Sequence, residues 1–195
     1  MSLSSWTIDA SVSIVGFRVR QRIVSELRGR LTRWSAELEY DPLHPDMFSV
    51  LAVGHIASIE TGDPERNREL LSAGFLDAVR DPEVRLKSTS VDLLGAAGMR
   101  VGCDLTIGRV TRSTAFLVER EDIVLRLVLC ACSFAARMSI NRADWGLIWS
   151  GDPRGIAGLL ADRVTIEMEI AAFRSTEVVA AQHAPAGDPV GARRA

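Results

Sequence analysis

The sequence predicts a mainly β protein: a closed antiparallel barrel of about eight strands, with one short helix inserted between strands and a long loop before the last strand. Alternating apolar and polar residues recur in segments longer than the ~5–6 residues typical of sandwich strands. No repeat of ~20–50 residues suggests a propeller or a solenoid. Long consecutive antiparallel strands leave exposed edges unless the sheet closes, and a barrel is therefore favoured.

The composition indicates one globular domain with no general attraction to nucleic acid. A chain of 195 residues can bury a sizeable core, and its formal net charge of -2 creates no strong electrostatic field. Residues 1–174 form the predicted barrel domain. Residues 175–195 are rich in Ala, Pro and Gly, lack any periodic pattern, and are expected to form a disordered C-terminal tail.

Two long segments open the predicted barrel. Residues 6–21 are extended and end in a clear alternation of apolar and charged residues, and residues 27–40 continue as a second extended segment. In this second segment the apolar phase switches at Thr32-Arg33, which indicates a bulge or a sharp bend. A turn follows at 41–46, and residues 47–60 are then apolar on both faces.

The one clear helix signal follows directly. Asp63 is a suitable N-cap, Pro64 occupies the first helical position, and Glu65 suits the positive end of the helix dipole. Gly74 is a suitable residue to end the helix. We therefore expect one short helix over residues 64–73.

Strands resume at residues 83–94 and in a hairpin at residues 101–112. Gly108-Arg109 fits a two-residue type II′ turn, whose first residue needs a positive φ. Asp104 in this hairpin needs a partner if it faces inward and is solvated if it faces outward; we expect a structural ion pair or hydrogen bond. The remaining strands are predicted at 114–120, 123–140 and 163–173.

Residues 123–136 are apolar on both faces, so something should cover their outer side. The candidates are the helix at 64–73, the loop at 141–161 and a second subunit, and we favour a homodimer. The run is too short to span a bilayer, which needs ~20 residues, and Arg126 interrupts it. Together with an odd number of cysteines and no apolar leader in the first ten residues, this predicts a cytoplasmic protein.

Arginines on the first two predicted strands form the most prominent charge feature: Arg18, Arg20, Arg22, Arg28 and Arg30. If the strands pair, like charges meet across the ladder, which destabilises a sheet unless an anion intervenes. That anion would be a lipid phosphate, a membrane surface or acidic side chains. The alternative is a solvated outer face neutralised by Glu37 and Glu39.

The sequence offers no catalytic or metal-binding constellation. Its three histidines are scattered, and Cys103, Cys130 and Cys132 are too few and wrongly spaced for a structural zinc site. No nucleophile–base pair, phosphate loop or dinucleotide fingerprint is present. We therefore expect a non-enzymatic protein without a metal or a cofactor.

Short motifs in a fixed order resemble the YceI-like family: "WTID" at 6–9, "VSELRGRLT" at 24–32, "SIETG" at 58–62, "GFLD" at 74–77, "DLTI" at 104–107 and "INRADWGL" at 140–147. The resemblance covers residues 6–173. It implies an eight-stranded lipocalin-like barrel with an internal apolar channel that binds, transports or stores a polyisoprenoid or a similar long amphipathic lipid, such as a fatty-acyl lipid.

Candidate ligand-binding residues are the apolar side chains expected to face the channel: Phe17, Val19, Leu31, Leu86, Leu105, Phe116, Phe134 and Met138. Trp145 and Trp149 are expected to cap one mouth of the barrel, and Arg18, Arg20, Arg28 and Arg30 are the candidate head-group or anion contacts. Glycines and histidines typical of the family are replaced at several positions. The alternative function is therefore a protein-interaction or scaffold module whose barrel is filled by its own side chains.

Overall fold

The computed structural model describes residues 5–21, 26–95, 98–125, 129–148 and 160–175. It contains eleven β segments: β1 Ser5–Ile8, β2 Ile14–Gln21, β3 Glu26–Leu31, β4 Trp34–Glu39, β5 Ser49–His55, β6 Ile59–Glu60, β7 Glu83–Leu93, β8 Gly98–Ile107, β9 Val110–Leu125, β10 Leu129–Asn141 and β11 Leu160–Ser175. One α-helix, α1, spans Pro64–Leu71, and short 3-10 helices span Pro45–Met47, Ile56–Ser58 and Arg142–Trp145.

These segments form one closed antiparallel barrel of eight strands, as predicted. β1 and β2 act as one interrupted strand, because both pair with β11. β3 with β4, and β5 with β6, likewise form two bent strands that pair with each other. The bend between β3 and β4 falls at residues 32–33, where the apolar phase switches.

The two ends of the barrel differ. One end, which we call the α1 end, carries α1, the β8–β9 turn and the 3-10 helix at Arg142–Trp145. The opposite end, which we call the far end, carries the β4–β5 connection with the 3-10 helix at Pro45–Met47. In the part of the chain that the structure describes, no helix is long and apolar enough to cross a bilayer.

Helix α1 begins as predicted but ends earlier. The Asp63 carboxylate accepts hydrogen bonds from the backbone N–H groups of Glu65 and Arg66, at 2.9 and 3.2 Å. The helix ends at Leu71 and not near Gly74, because the Ser72 carbonyl accepts from the N–H groups of Phe75 and Asp77 and turns the chain. α1 packs against β6 and, through Leu70, against the residues of the α1 end.

The hairpin between β8 and β9 has the predicted two-residue turn. Gly108, the first turn residue, has φ +61. Arg109, the second, is not among the described residues with a positive φ, which is the combination of a type II′ turn. Asp104 is aligned with Ser113, whose hydroxyl donates to its carboxylate at 2.7 Å. Asp104 therefore faces outward and makes the expected hydrogen bond.

The prediction of one strand over residues 123–140 is wrong, because two strands, β9 and β10, share the apolar run at 123–136. Residues 123–125 end β9, β10 begins at Leu129, and Leu125 lies opposite Cys130 in the antiparallel ladder. Residues 126–128, which separate the two strands, lie outside the described residues, and their sequence contains neither glycine nor proline. The separate strands predicted at 101–112 and 114–120 are likewise parts of β8 and the 16-residue β9.

The outer side of residues 131–135, within the apolar run, carries small residues. Cys132 and Phe134 are buried on the inner face, so Ala131, Ser133 and Ala135 lie on the outer face, where they are half-buried. Because α1 packs at the α1 end of the barrel, the helix does not supply the cover expected for this surface. Cover by a second subunit stays a prediction.

Replacing Asp63 with Ala should lower the free energy of unfolding by about 1 kcal/mol, because two helix N–H groups lose their acceptor. Chemical denaturation of the wild type and of the variant measures this loss. Asp63→Asn, which keeps an acceptor oxygen, should lose much less. Equal losses in the two variants would show that the side chain does not act as a cap.

The Cys103 thiol should make the protein less stable in alkali. Burial, with a smaller contribution from Asp104, raises the pKa of Cys103 to about 11 from 9.0. As the pH rises from 9 to 11 the unfolded thiol ionises first, so stability falls over this window and is fully present below it. Unfolding curves at pH 7.5 to 10.5 should therefore show a steeper decline for the wild type than for Cys103→Ala; parallel declines would contradict this.

Candidate functional site

The interior of the barrel contains an apolar cavity of about 240 Å³. Every strand of the barrel contributes to its wall, since alternate side chains of each strand point inward. The wall includes all eight channel residues predicted from the sequence: Phe17, Val19, Leu31, Leu86, Leu105, Phe116, Phe134 and Met138. The scaffold alternative requires a barrel filled by its own side chains, and this barrel is not filled.

The last strand shows how the sequence builds this wall. On β11 the residues Val164, Ile166, Met168 and Ile170 line the cavity, and Thr165, Glu167 and Glu169 alternate with them toward the outside. β8 has the same alternation, with Val101, Cys103, Leu105 and Ile107 buried. A shift of one residue in either strand would put the polar set into the cavity, so the pattern fixes the register.

Two arginines border the cavity within the described residues, Arg85 and Arg142. The Arg85 guanidinium points to solvent, where it forms an ion pair with Glu83 at 2.7 Å. Arg142 is different, because its side chain is only 12% exposed. Of the two arginines that border the cavity, Arg142 is therefore the one that is largely shielded from solvent.

Arg142 uses its donors within the protein. Its guanidinium donates to the carbonyl oxygens of Leu147 at 2.6 Å and Ala161 at 3.3 Å, and pairs with Asp162 at 3.0 Å. It also lies 5.8 Å from the centre of the Phe75 ring. Arg142 therefore ties together three segments that surround the α1 end of the cavity. This role was not predicted from the sequence. The sequence feature that could have indicated it is the position of Arg142 within the motif "INRADWGL".

At the α1 end the described wall of the cavity comes from α1 and from loop residues. Its wall there includes Leu70, which is buried, and Phe75, Leu76 and Leu147, which are only partly buried. Three of these residues belong to α1 or to the segment after it, and Leu147 follows the 3-10 helix at Arg142–Trp145.

At the far end the cavity stops at four aromatic residues, which we call the aromatic floor: Trp6, Tyr40, Phe48 and Phe134. The centres of neighbouring rings are 5.2–6.2 Å apart, and three of the four ring contacts are edge-to-face. All four side chains are buried, with at most 8% exposure. The floor was missed in the sequence because its members come from four separate segments, with only Phe134 recognised as a wall residue.

The structure describes one of the two predicted cap tryptophans, Trp145, and does not place it at the mouth of the apolar cavity. Trp145 is buried, donates from Nε1 to the Leu105 carbonyl at 3.0 Å, and is not part of the wall of the apolar cavity. It borders instead a separate polar cavity of about 250 Å³, together with Arg112 and Asp144. Trp149 lies outside the described residues.

The arginines of β2 and β3 meet across the ladder as predicted, with Arg18 opposite Arg28. Carboxylates separate them: Arg18 pairs with Glu167 at 3.0 Å, Arg28 with Glu26 at 2.8 Å, and Arg30 with Glu60 at 2.8 Å. Acidic side chains therefore provide the neutralising charge.

The glutamates Glu37 and Glu39, expected to neutralise this face, lie on β4 and are not the partners of these three arginines. The pairs extend to β10, where Arg137 also binds Glu167 at 3.0 Å. Arg20 is exposed and aligned with Glu26, and Arg22 lies outside the described residues. An anionic ligand or membrane at this face stays a prediction.

Comparison with known proteins agrees with this architecture. A UPF0312 protein of Vibrio cholerae is 30% identical over 105 residues, which is 54% of this chain, and one of Ectopseudomonas mendocina is 27% identical over 114 residues, or 56% of the chain. The chain spans 56% and 60% of the lengths of these two curated relatives.

Solved structures share the fold at low sequence identity. BcnA of Burkholderia cenocepacia superposes with a TM-score of 0.73 at 21% identity, covering 85% of this chain and 99% of that one. The YCEI protein of Campylobacter jejuni gives 0.71 at 20% identity, with coverages of 89% and 99%.

A polyisoprenoid binding domain from Saccharophagus degradans gives a TM-score of 0.63 at 15% identity and covers 88% of this chain and 98% of that domain. At this identity the likeness concerns the fold alone. Family membership rests on the sequence, because residues 6–172 match the YceI-like domain. With this match and the closed barrel around an apolar cavity, the chain belongs to the YceI-like family.

Proposed function

We propose that the protein binds the apolar chain of a polyisoprenoid or a similar amphipathic lipid, such as a fatty-acyl lipid, inside the barrel. The observation that carries this proposal is the continuous apolar wall of the cavity. The Arg142 guanidinium borders this wall, but its donors already bind protein oxygens. An unpaired polar group inside such a wall would cost several kcal/mol. The wall therefore favours hydrocarbon and disfavours a buried polar head.

The length of the wall suits a long chain. On β11 it runs from Leu160 to Ile170, a distance of ten residues. At ~3.3 Å per residue and a strand tilt of ~40°, this is about 25 Å along the barrel axis. An extended isoprene unit has four backbone bonds of ~1.5 Å in a zigzag and advances about 5 Å, so about five units match this length.

Burial alone can give such a ligand high affinity. Each methylene removed from water contributes about 0.8 kcal/mol, less the cost of ordering the chain. Because this contribution has no direction, the protein needs few polar contacts to hold the ligand. The family relation and the fold shared with a polyisoprenoid binding domain support the same class of ligand.

Carriage or storage of the lipid, rather than its chemical conversion, is the activity that fits this wall. The described side chains around the cavity are aliphatic, aromatic or thioether groups, apart from Arg85 and Arg142, which are both paired with protein oxygens. None of them is placed as a nucleophile with a base. A cytoplasmic location, a homodimer and a peripheral membrane contact during loading belong to this proposal as expectations.

Organic extracts of the purified native protein should contain a long-chain lipid in about one-to-one ratio with the protein. Mass spectrometry identifies and quantifies it, and a protein of similar size purified in parallel provides the background. Extracts without stoichiometric lipid, together with no binding of added prenyl alcohols, would contradict the proposal.

Filling the cavity should abolish lipid binding. Ala136 lies on the cavity wall, and Ala136→Phe places a ring in the space that the chain would occupy. Retained lipid should fall at least tenfold. Ala135→Phe is the matched control, since Ala135 precedes it on the outer face of the same strand, and this variant should keep its lipid. Similar lipid contents in the two folded variants would place the ligand elsewhere.

A further inference from the structure

We infer that the aromatic floor sets the maximum length of the chain that the barrel accepts, with Phe48 and Phe134 as the residues that determine this specificity. The inference rests on the proposed function and goes beyond it, since a lipid-binding barrel need not select chain length. It follows from how the floor is layered, how firmly it is held, and how it differs from the other end of the cavity.

The floor has two layers along the barrel axis. Phe48 and Phe134 border the cavity, whereas Tyr40 and Trp6 are not among the described residues of its wall. The Tyr40 ring touches both phenylalanines, with centres 6.2 and 5.2 Å away, and so lies behind them as seen from the cavity. The end of a bound chain would therefore meet the two phenylalanine rings first.

The second layer holds the first one in place. The Trp6 indole Nε1 donates to the Tyr40 carbonyl at 2.7 Å, which fixes β1 to the end of β4. The Arg174 guanidinium, near the end of β11, lies 5.1 Å from the centre of the Trp6 ring. Tyr40 is fully buried at 0% exposure. A chain end that pushed the Trp6 indole aside would break this buried hydrogen bond.

At the α1 end the described wall residues come from α1 and from loops, such as Leu70, Phe75 and Leu147, so we place the entry of the chain at this end. A chain that is too long would project from this end, and its additional carbons would gain little burial. Affinity should therefore rise with chain length, by about fourfold for each buried methylene, until the chain reaches the floor, and then level off. The chain length at this break is the property that the floor determines.

The test uses prenyl alcohols of two to eight isoprene units, which displace a fluorescent apolar probe from the delipidated protein. In the wild type the affinity should rise and then level off at a defined length. Phe48→Ala and Phe134→Ala each remove a six-carbon ring from the floor, and the break should move to chains about one five-carbon unit longer. Phe75→Ala removes the same ring from the α1 end and should weaken all lengths alike without moving the break.

The outcomes separate this inference from the proposed function. If the wild type binds no prenyl alcohol of any length and its organic extracts contain no stoichiometric lipid, the proposed function fails. If it binds them but the break is absent, or stays in place in both floor variants, the floor does not limit the chain. Thermal unfolding shows which variants fold. If the Ala variants do not, Phe48→Leu and Phe134→Leu decide the question by the same criterion, with a smaller shift.

Discussion

The barrel exists because β11 pairs along both of its edges, with β10 on one side and with β1 and β2 on the other. Without the second of these ladders the sheet would be open, and its apolar inner face would be exposed to water. Closure turns that face into the wall of a cavity and removes the unpaired backbone groups of an edge strand. The site therefore depends on main-chain pairing between the two ends of the chain.

The two faces of this closed sheet have separate tasks. The part of the inner face that lines the cavity is apolar, and the outer face carries ion pairs that cross from β3 through β2 and β11 to β10. Exposed pairs of this kind contribute little stability individually, but they prevent arginines on adjacent strands from repelling one another. Charge on the outside thus permits strand pairing, and hydrocarbon on the inside defines the cavity.

Much of the fold could be predicted from local patterns. Period-two alternation identified the strands, the Asp63-Pro64 pair located the start of the helix, and Gly108 marked the hairpin turn. The same alternation placed eight side chains on the cavity wall, because it fixes which face of a strand is apolar. The break between β9 and β10 was missed, since the residues around it are apolar or charged and include no turn former.

Features made by distant segments could not be predicted in this way. The aromatic floor joins residues from β1, the end of β4, the segment before β5, and β10, and only the closed barrel brings them together. The same is true of Arg142, whose acceptors lie both on the loop after it and on β11. Trp145 was predicted to cap a mouth of the barrel because it lies in the loop after a predicted strand. Its indole N–H instead donates to the buried carbonyl of Leu105.

An apolar void of this kind also has a mechanical consequence. Water gains few hydrogen bonds inside such a wall, so the unliganded barrel keeps space that neither solvent nor side chains occupy well. Hydrostatic compression favours whichever state has the smaller volume, and unfolding eliminates this space. The empty barrel is thus the pressure-sensitive form, and a ligand that filled the cavity would make the barrel resist compression.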